Sequence, residues 1–254
     1  MQQYPQHDGR FASRTPAQKI RPRAATHTSF RIDTAISRCD GVAEQTFTLL
    51  RHGSAVSDRS TGRKFDVDRG VTTQAILFLT DLDPEAVGDA GAHATHYEAV
   101  PVADFHALVR HLPAVVIERS SFVDVGAGMG RAIILAREYA FASVTGIEVS
   151  PGLFEVARAN LTARGPDELE LREASVNRGD ARIWTYPPGD LVVFMYNPFD
   201  ATAMRAALGA ILHRELPGET WLMYHTPVER KIIESDPQWN IVAEMSNGVV
   251  YRYG

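Results

Sequence analysis

The chain is poor in several things, and each scarcity narrows what it can be. It has one cysteine, Cys39, in 254 residues, so no disulfide can form within it. No partner group can be identified for Cys39, which reads as a small buried or surface residue and not as a nucleophile. No apolar run approaches the roughly 20 residues that span a bilayer, and no signal-type apolar stretch is visible. A cytoplasmic protein without membrane contact is the expectation. Excess positive charge is also missing. The 26 Lys and Arg stand against 31 Asp and Glu, a formal net charge of −5, which disfavours gripping nucleic acid by bulk electrostatics. His93 and His96 share a loop with no Cys or carboxylate at ligand spacing, so both read as surface residues and no metal site is expected. There is no internal repeat. An apolar fraction of 44% and a charged fraction of 22% are those of a globular protein with room for one α/β domain and an N-terminal extension.

What the chain does have is a glycine-rich turn. Ser121-Phe122-Val123-Asp124-Val125-Gly126-Ala127-Gly128-Met129-Gly130-Arg131 reads as a short buried strand, a tight bend and the start of a helix. The glycines let the backbone bend with no side chain between the peptide and a ligand above it. Spacing discriminates among cofactors. Dinucleotide turns follow G-x-G-x-x-G, whereas here the third glycine comes one residue early. Asp124, two positions before the first glycine, would repel a pyrophosphate and suit a cationic amino-acid group. S-adenosylmethionine carries an ammonium and a sulfonium and no phosphate. The stretch therefore resembles the first motif of the class I S-adenosylmethionine-dependent methyltransferases, which implies cofactor contacts from Asp124, Gly126, Ala127, Gly128 and Arg131. A glycine-rich turn that binds nothing is the plain alternative.

Residues 1–25 are rich in Gln, Pro, Arg and Ser without apolar periodicity, so a disordered tail is expected, although an Arg-rich start also resembles a transit peptide. Residues 26–115 read as a helical extension. It would hold short helices between Phe30 and Arg51, a loop from Asp81 to Gly91, and a helix from Val102 to Leu112 with one apolar face. Residues 116–254 read as the cofactor domain. After the turn come a strand Ser143–Glu148 and a helix capped by Ser150, with Pro151 first and its end near Gly165. A weaker strand Leu169–Ala174, a fully apolar strand Leu191–Tyr196, a helix Ala201–Leu212 and a strand Thr220–Tyr224 follow. Ile241–Met245 and Val249–Tyr253 flank a hairpin turn. The fold class expected is α/β: a Rossmann-like, seven-stranded, mostly parallel sheet with a terminal antiparallel hairpin.

Glu148 ends the second strand at 148 − 126 = 22 residues past Gly126, where an acidic residue can accept hydrogen bonds from ribose hydroxyls. The resemblance implies that Asp180 meets the adenine amino group, with a backbone N–H from Ala181 and a further contact at Val149; a simple Gly-Asp turn competes. It also places Tyr196-Asn197-Pro198-Phe199-Asp200 along the methyl-transfer site. Phe199 or Tyr196 would face the sulfonium, a cation–π contact worth about 0.5–2 kcal/mol. Asn197 would orient the acceptor, and Pro198 lines the cofactor. Asp200 is a candidate base or, equally, the N-cap of the next helix. His225, ending the fifth strand, is a second candidate base.

From Phe65 to about His225 the chain also resembles a largely uncharacterised group of methyltransferases related to the seven-stranded histone-lysine methyltransferases. The matching segments are Phe65-Asp66, Gly70-Val71-Thr72-Thr73, Tyr97 with Pro101, the glycine turn, Glu148-Val149-Ser150-Pro151 and Tyr196 to Phe199. Three positions depart from the pattern: Thr72 stands for Asp, Ala99 for Pro, and Met129 where Lys is common. Tyr97 would lie on the segment folding over the cofactor and touch its methionine part. The activity implied is transfer of the methyl of S-adenosylmethionine to N or O of a small-molecule carboxylate, hydroxyl or amine, leaving S-adenosylhomocysteine. Protein lysine is the alternative acceptor, nucleic acid is disfavoured, and a non-catalytic S-adenosylmethionine sensor is the reading from another class.

Overall fold

The computed structural model of the protein describes residues 60–78, 89, 91–163 and 173–254. The expected tail, the helices between Phe30 and Arg51, Cys39 and most of the Asp81–Gly91 loop lie outside these residues. The described chain begins with helix α1 (Ser60–Arg69), strands β1 (Ile76–Phe78) and β2 (His96–Glu98), and helices α2 (Val102–Val109) and α3 (Ala114–Arg119). Parallel strands β3 (Ser121–Val125), β4 (Ser143–Glu148), β5 (Ser175–Arg178), β6 (Gly189–Tyr196) and β7 (Pro217–His225) follow. Helices α4 (Arg131–Ala136), α5 (Pro151–Thr162), α6 (Ala201–Leu212) and α7 (Arg230–Glu234) lie between and after them. Strands β8 (Trp239–Met245) and β9 (Gly248–Tyr253) close the sheet antiparallel, in the order β5-β4-β3-β6-β7-β9-β8.

Side-chain alternation assigns the two faces of the sheet. Phe122 joins Phe105, Phe141 and Phe194 in one apolar layer; Val123 and Val125 join Val193, Met195 and Tyr224 in the other. Burial on both faces explains the continuous apolar run of β6 and the largely apolar β3. Asp124 interrupts the run on the Phe122 side, a polar group in an apolar row. Because β3 pairs with β4 on one edge and β6 on the other, the chain reverses its winding there. A crevice opens outside the carboxyl ends of strands at such a switch point.

Local chemistry fixes the helix starts. Ser150 Oγ accepts from Leu153 N and Pro151 takes the first position of α5. Asp200 Oδ1 accepts from Thr202 N and Ala203 N, both at 2.9 Å, and so caps α6.

Three expectations need correction. The strand beside β4 is Ser175–Arg178, later than the expected Leu169–Ala174, most of which lies outside the described residues; among the described residues it is an edge strand paired only with β4, so no buried apolar run marks it. The helix expected to reach Leu112 stops at Val109, and Pro113 caps α3 instead. The extension is not wholly helical, since β1 and β2 pair antiparallel through Leu77↔Tyr97. Strands of three residues are too short to display a period. This pair sits on the domain through an apolar cluster of Leu77, Tyr97, Ala99, Met129 and Leu153.

Candidate active site

The glycine turn is built from backbone geometry that its residues permit. Gly126 and Gly128 have φ of +75° and +55°, a region closed to most side chains. Space is restricted as well. A Cβ on Gly128 would stand 2.2 Å from ring carbons of Tyr97, and one on Gly126 would stand 2.9 Å from Pro198 Cβ. Gly126 N and Ala127 N donate to Ile147 O at 3.0 and 2.9 Å. Glu148 completes the bend: Oε2 accepts from Gly128 N at 2.7 Å and Oε1 from Ser150 N at 2.8 Å. With Val149 as a third backbone donor, the carboxylate keeps acceptor capacity for a ribose hydroxyl. Burial raises the Glu148 carboxyl, and its backbone donors oppose that rise.

Asp124 is 2% exposed and has no hydrogen-bond donor among the described residues. Burial, reinforced by the Glu148 charge, pushes its carboxyl up to about 8. A buried carboxyl without a donor is costly unless a ligand supplies one. An ammonium group would supply both charge and donors.

Beside the turn lies an open cleft lined by Gly126, Val149, Asp180, Ala181 and Phe199 among others. Five residues expected from sequence to touch the cofactor thus share one wall. At its rim Arg182 Nε and Nη2 hold both oxygens of Asp180, at 2.8–3.1 Å. Partial burial works against the Asp180 charge, but these bonds to Arg182 outweigh it and hold the carboxyl below its usual range. Arg182 also reaches Asp89 at 3.0 Å. Sequence reasoning missed it, because an arginine two residues past an aspartate carries no signal of its own.

The segment 93–98 crosses the ends of the strands. Ala94 bridges Phe199, Thr95 N donates to Pro198 O at 3.3 Å, and Thr95 Oγ1 donates to Asn197 O at 2.6 Å. His93 Nδ1 lies 2.8 Å from Asp200 Oδ2, and His96 Nε2 is 3.6 Å from Glu98 Oε2. Neither histidine is the plain surface residue expected. Their partners are distant in sequence in one case and two residues off in the other, so spacing could not reveal both.

Asn197 has φ +40°, and its side-chain oxygen accepts from the Tyr224 hydroxyl at 3.4 Å. Asp200 serves as the α6 cap, and its bond to His93 leads the causes that lower its carboxyl. Tyr97 lies over Gly128 and donates to Thr73 O at 2.5 Å. Burial keeps its hydroxyl protonated. His225, 3% exposed, is 3.0 Å from Asp104 Oδ2 through Nε2 and 3.1 Å from Thr226 Oγ1 through Nδ1. Its ring meets Tyr196 edge-on at 4.3 Å, and the register pairs Tyr196 with His225. Arg131 is the expected cofactor residue whose side chain goes elsewhere. Its guanidinium is 2% exposed and bonded to Asp66, Thr73, Gln74 and Gly62 O. Among the described residues no group of three or more His, Cys, Asp or Glu could hold a metal ion, and no helix is long and apolar enough to cross a membrane.

Residues 122–215 match the model of a methyltransferase domain family. No curated protein matches the chain. Among solved structures, a glycopeptide N-methyltransferase complexed with sinefungin is 12% identical, with TM-score 0.46, over 61% of this chain and 87% of that one. A ribosomal protein L11 methylase from Lactobacillus delbrueckii is 13% identical, with TM-score 0.43, over 59% and 76%. A phosphoethanolamine N-methyltransferase from Haemonchus contortus, in complex with phosphoethanolamine and S-adenosylhomocysteine, is 16% identical, with TM-score 0.39, over 48% of this chain. This chain spans a quarter of that enzyme's length. The family match thus falls on the strand, glycine turn and helix pattern of the sheet described above.

Proposed function

We propose that this protein is a class I S-adenosylmethionine-dependent methyltransferase that acts on N or O of a small-molecule acceptor and grips its cofactor between Asp124 and the 126–128 turn. The observation that carries the reading is Asp124: a buried carboxyl without a donor among the described residues, two positions before a glycine bend whose Gly126 lines the cleft. The residues present fit the cofactor. Asp124 would take the ammonium, Glu148 the ribose, and Ala181 with Asp180 the adenine edge, once Arg182 yields one carboxylate oxygen. When bound, S-adenosylmethionine supplies an electrophilic methyl on a sulfonium.

The chain's own residues then do the positioning. Asn197, with Oδ1 near Tyr224, orients the acceptor's lone pair toward the methyl, and the rings of Tyr196 and Phe199 exclude water. Proton removal falls to His225 and not to Asp200. Asp200 is committed to the α6 cap and to His93, whereas His225 keeps Nε2 on Asp104 Oδ2 and can take a proton at Nδ1 once the Thr226 hydroxyl turns away. A small acceptor is favoured over a protein tail because segment 93–98 is paired onto residues 197–200 and narrows the mouth.

The test uses S-adenosylmethionine labelled on its methyl, incubated with the protein and with separate panels of amines, phenols and carboxylic acids, and with histones. Label on a small molecule, with equimolar S-adenosylhomocysteine, supports the reading. Label on histone lysine would favour the alternative suggested by the resemblance. Cofactor binding without transfer in any panel would point to a sensor.

A further inference from the structure

The face of the glycine turn away from the cleft carries a network that the proposed chemistry leaves unused. Arg131, first residue of α4, is buried, and its Nε donates to Thr73 Oγ1 at 2.6 Å. Its Nη2 meets Asp66 Oδ1 at 3.1 Å, and its guanidinium lies over the Phe65 ring, 5.1 Å from the centroid. Asp66 in turn accepts from Thr73 N, Thr73 Oγ1 and Gln74 N at 2.5–2.7 Å. Asn160 of α5 ties the same strand to the turn, donating to Thr72 O and Met129 O at 2.8 Å and accepting from Thr72 N at 2.9 Å. The network ends on Thr73 O, which accepts from the Tyr97 hydroxyl. The Tyr97 ring is thereby pressed onto Gly128, and Met129 beneath belongs to the same apolar cluster.

We propose that Asp66, Thr73 and Arg131 are positioning residues for the cofactor's methionine end. Their charge-assisted bonds fix Thr73, Thr73 fixes the Tyr97 hydroxyl, and the ring is set over Gly128. A buried ion pair that is fully hydrogen-bonded has two discrete arrangements, docked or lost, which suits a positioning device. On the cofactor reading above, the Gly128–Tyr97 contact falls at the methionine end and the cleft lined by Val149, Asp180 and Ala181 at the adenosine end. The network therefore acts on one half of the cofactor. This inference rests on the cofactor reading above.

Calorimetry with two probes tests it: S-adenosylhomocysteine, which has the amino-acid part, and 5′-methylthioadenosine, which lacks it. Tyr97→Phe removes one hydroxyl and keeps the ring, Thr73→Val removes Oγ1 and keeps the carbonyl, and Asp66→Asn removes the charge. Each should weaken S-adenosylhomocysteine about tenfold, the worth of one well-made hydrogen bond, and leave methylthioadenosine within about twofold. If Asp66→Asn fails to fold, the other two carry the test. Equal weakening of both probes would show a merely structural role and overturn the proposal, as would no change in either. A wild-type protein that binds neither probe would instead sink the cofactor reading itself.

Discussion

Asp124→Asn separates the charge of the inward carboxyl from its shape. Burial and the Glu148 charge move that carboxyl from 3.8 to about 8, and at about 1.4 kcal/mol per pH unit the cost of ionising it in the folded protein is about 6 kcal/mol. The sign follows from linkage. A carboxyl raised on folding leaves the native state holding more protons than the unfolded state between about pH 4 and pH 8, so stability falls as pH rises through that window. The Asn variant loses that dependence and is the more stable form at alkaline pH. Binding reverses the balance, because an ammonium ligand favours the carboxylate. At pH 7 a group titrating near 8 is about nine-tenths protonated, so S-adenosylhomocysteine should release up to about 0.9 proton on binding. Calorimetry in buffers of different ionisation enthalpy reads this number. The Asn variant should release none and lose a charge-assisted bond of about 1.5–3 kcal/mol, some 10- to 150-fold in affinity. Binding without proton release, together with an Asn variant of undiminished affinity, would refute the reasoning.

Other substitutions probe the surrounding parts. Asp200→Ala should cost about 1–2 kcal/mol in urea unfolding by uncapping α6, whereas Asp200→Asn keeps the cap, its stability and most of the methyl transfer; a large loss of transfer in Asp200→Asn would mark Asp200 as the base. Gly128→Ala would set a Cβ against Tyr97 at a positive φ, so it should lower the thermal midpoint and weaken S-adenosylhomocysteine at least tenfold. Arg131→Met leaves Asp66, whose side chain is 14% exposed, without its cation and should cost about 3–5 kcal/mol, part of which the added Asp66→Asn restores. A double variant no more stable than Arg131→Met alone would mean the pair is not coupled.

The parts of the fold that show in the sequence are those where one physical rule acts alone. Strand β6 announces itself because burial on both faces demands an unbroken apolar run, and β3 because its apolar residues lead straight into the glycine turn. Ser150 and Asp200 mark their helix starts because a side-chain oxygen is needed where backbone donors have no partner. The Asp124–Gly128 turn is legible for the same reason, since tight backbone geometry and a lone carboxylate leave few alternatives. What stayed hidden depends on pairing across long sequence distances. The β1–β2 sheet joins segments some 20 residues apart, through strands too short for a period. His93 meets Asp200 and Asp104 meets His225 only because the chain returns to the same sheet edge. Arg131 looked like a cofactor residue because it follows the glycines, yet its guanidinium answers to Asp66, 65 positions earlier. Met129, a departure from the related pattern, makes sense as the apolar seat of Tyr97.

A crystal structure of the protein grown with S-adenosylhomocysteine tests the central claim most directly. The account predicts the homocysteine ammonium within hydrogen-bond distance of the Asp124 carboxylate, the ribose on Glu148 and the adenine between Val149 and Ala181. Density for the ligand elsewhere, or an Asp124 carboxyl still without a donor beneath it, would contradict the account.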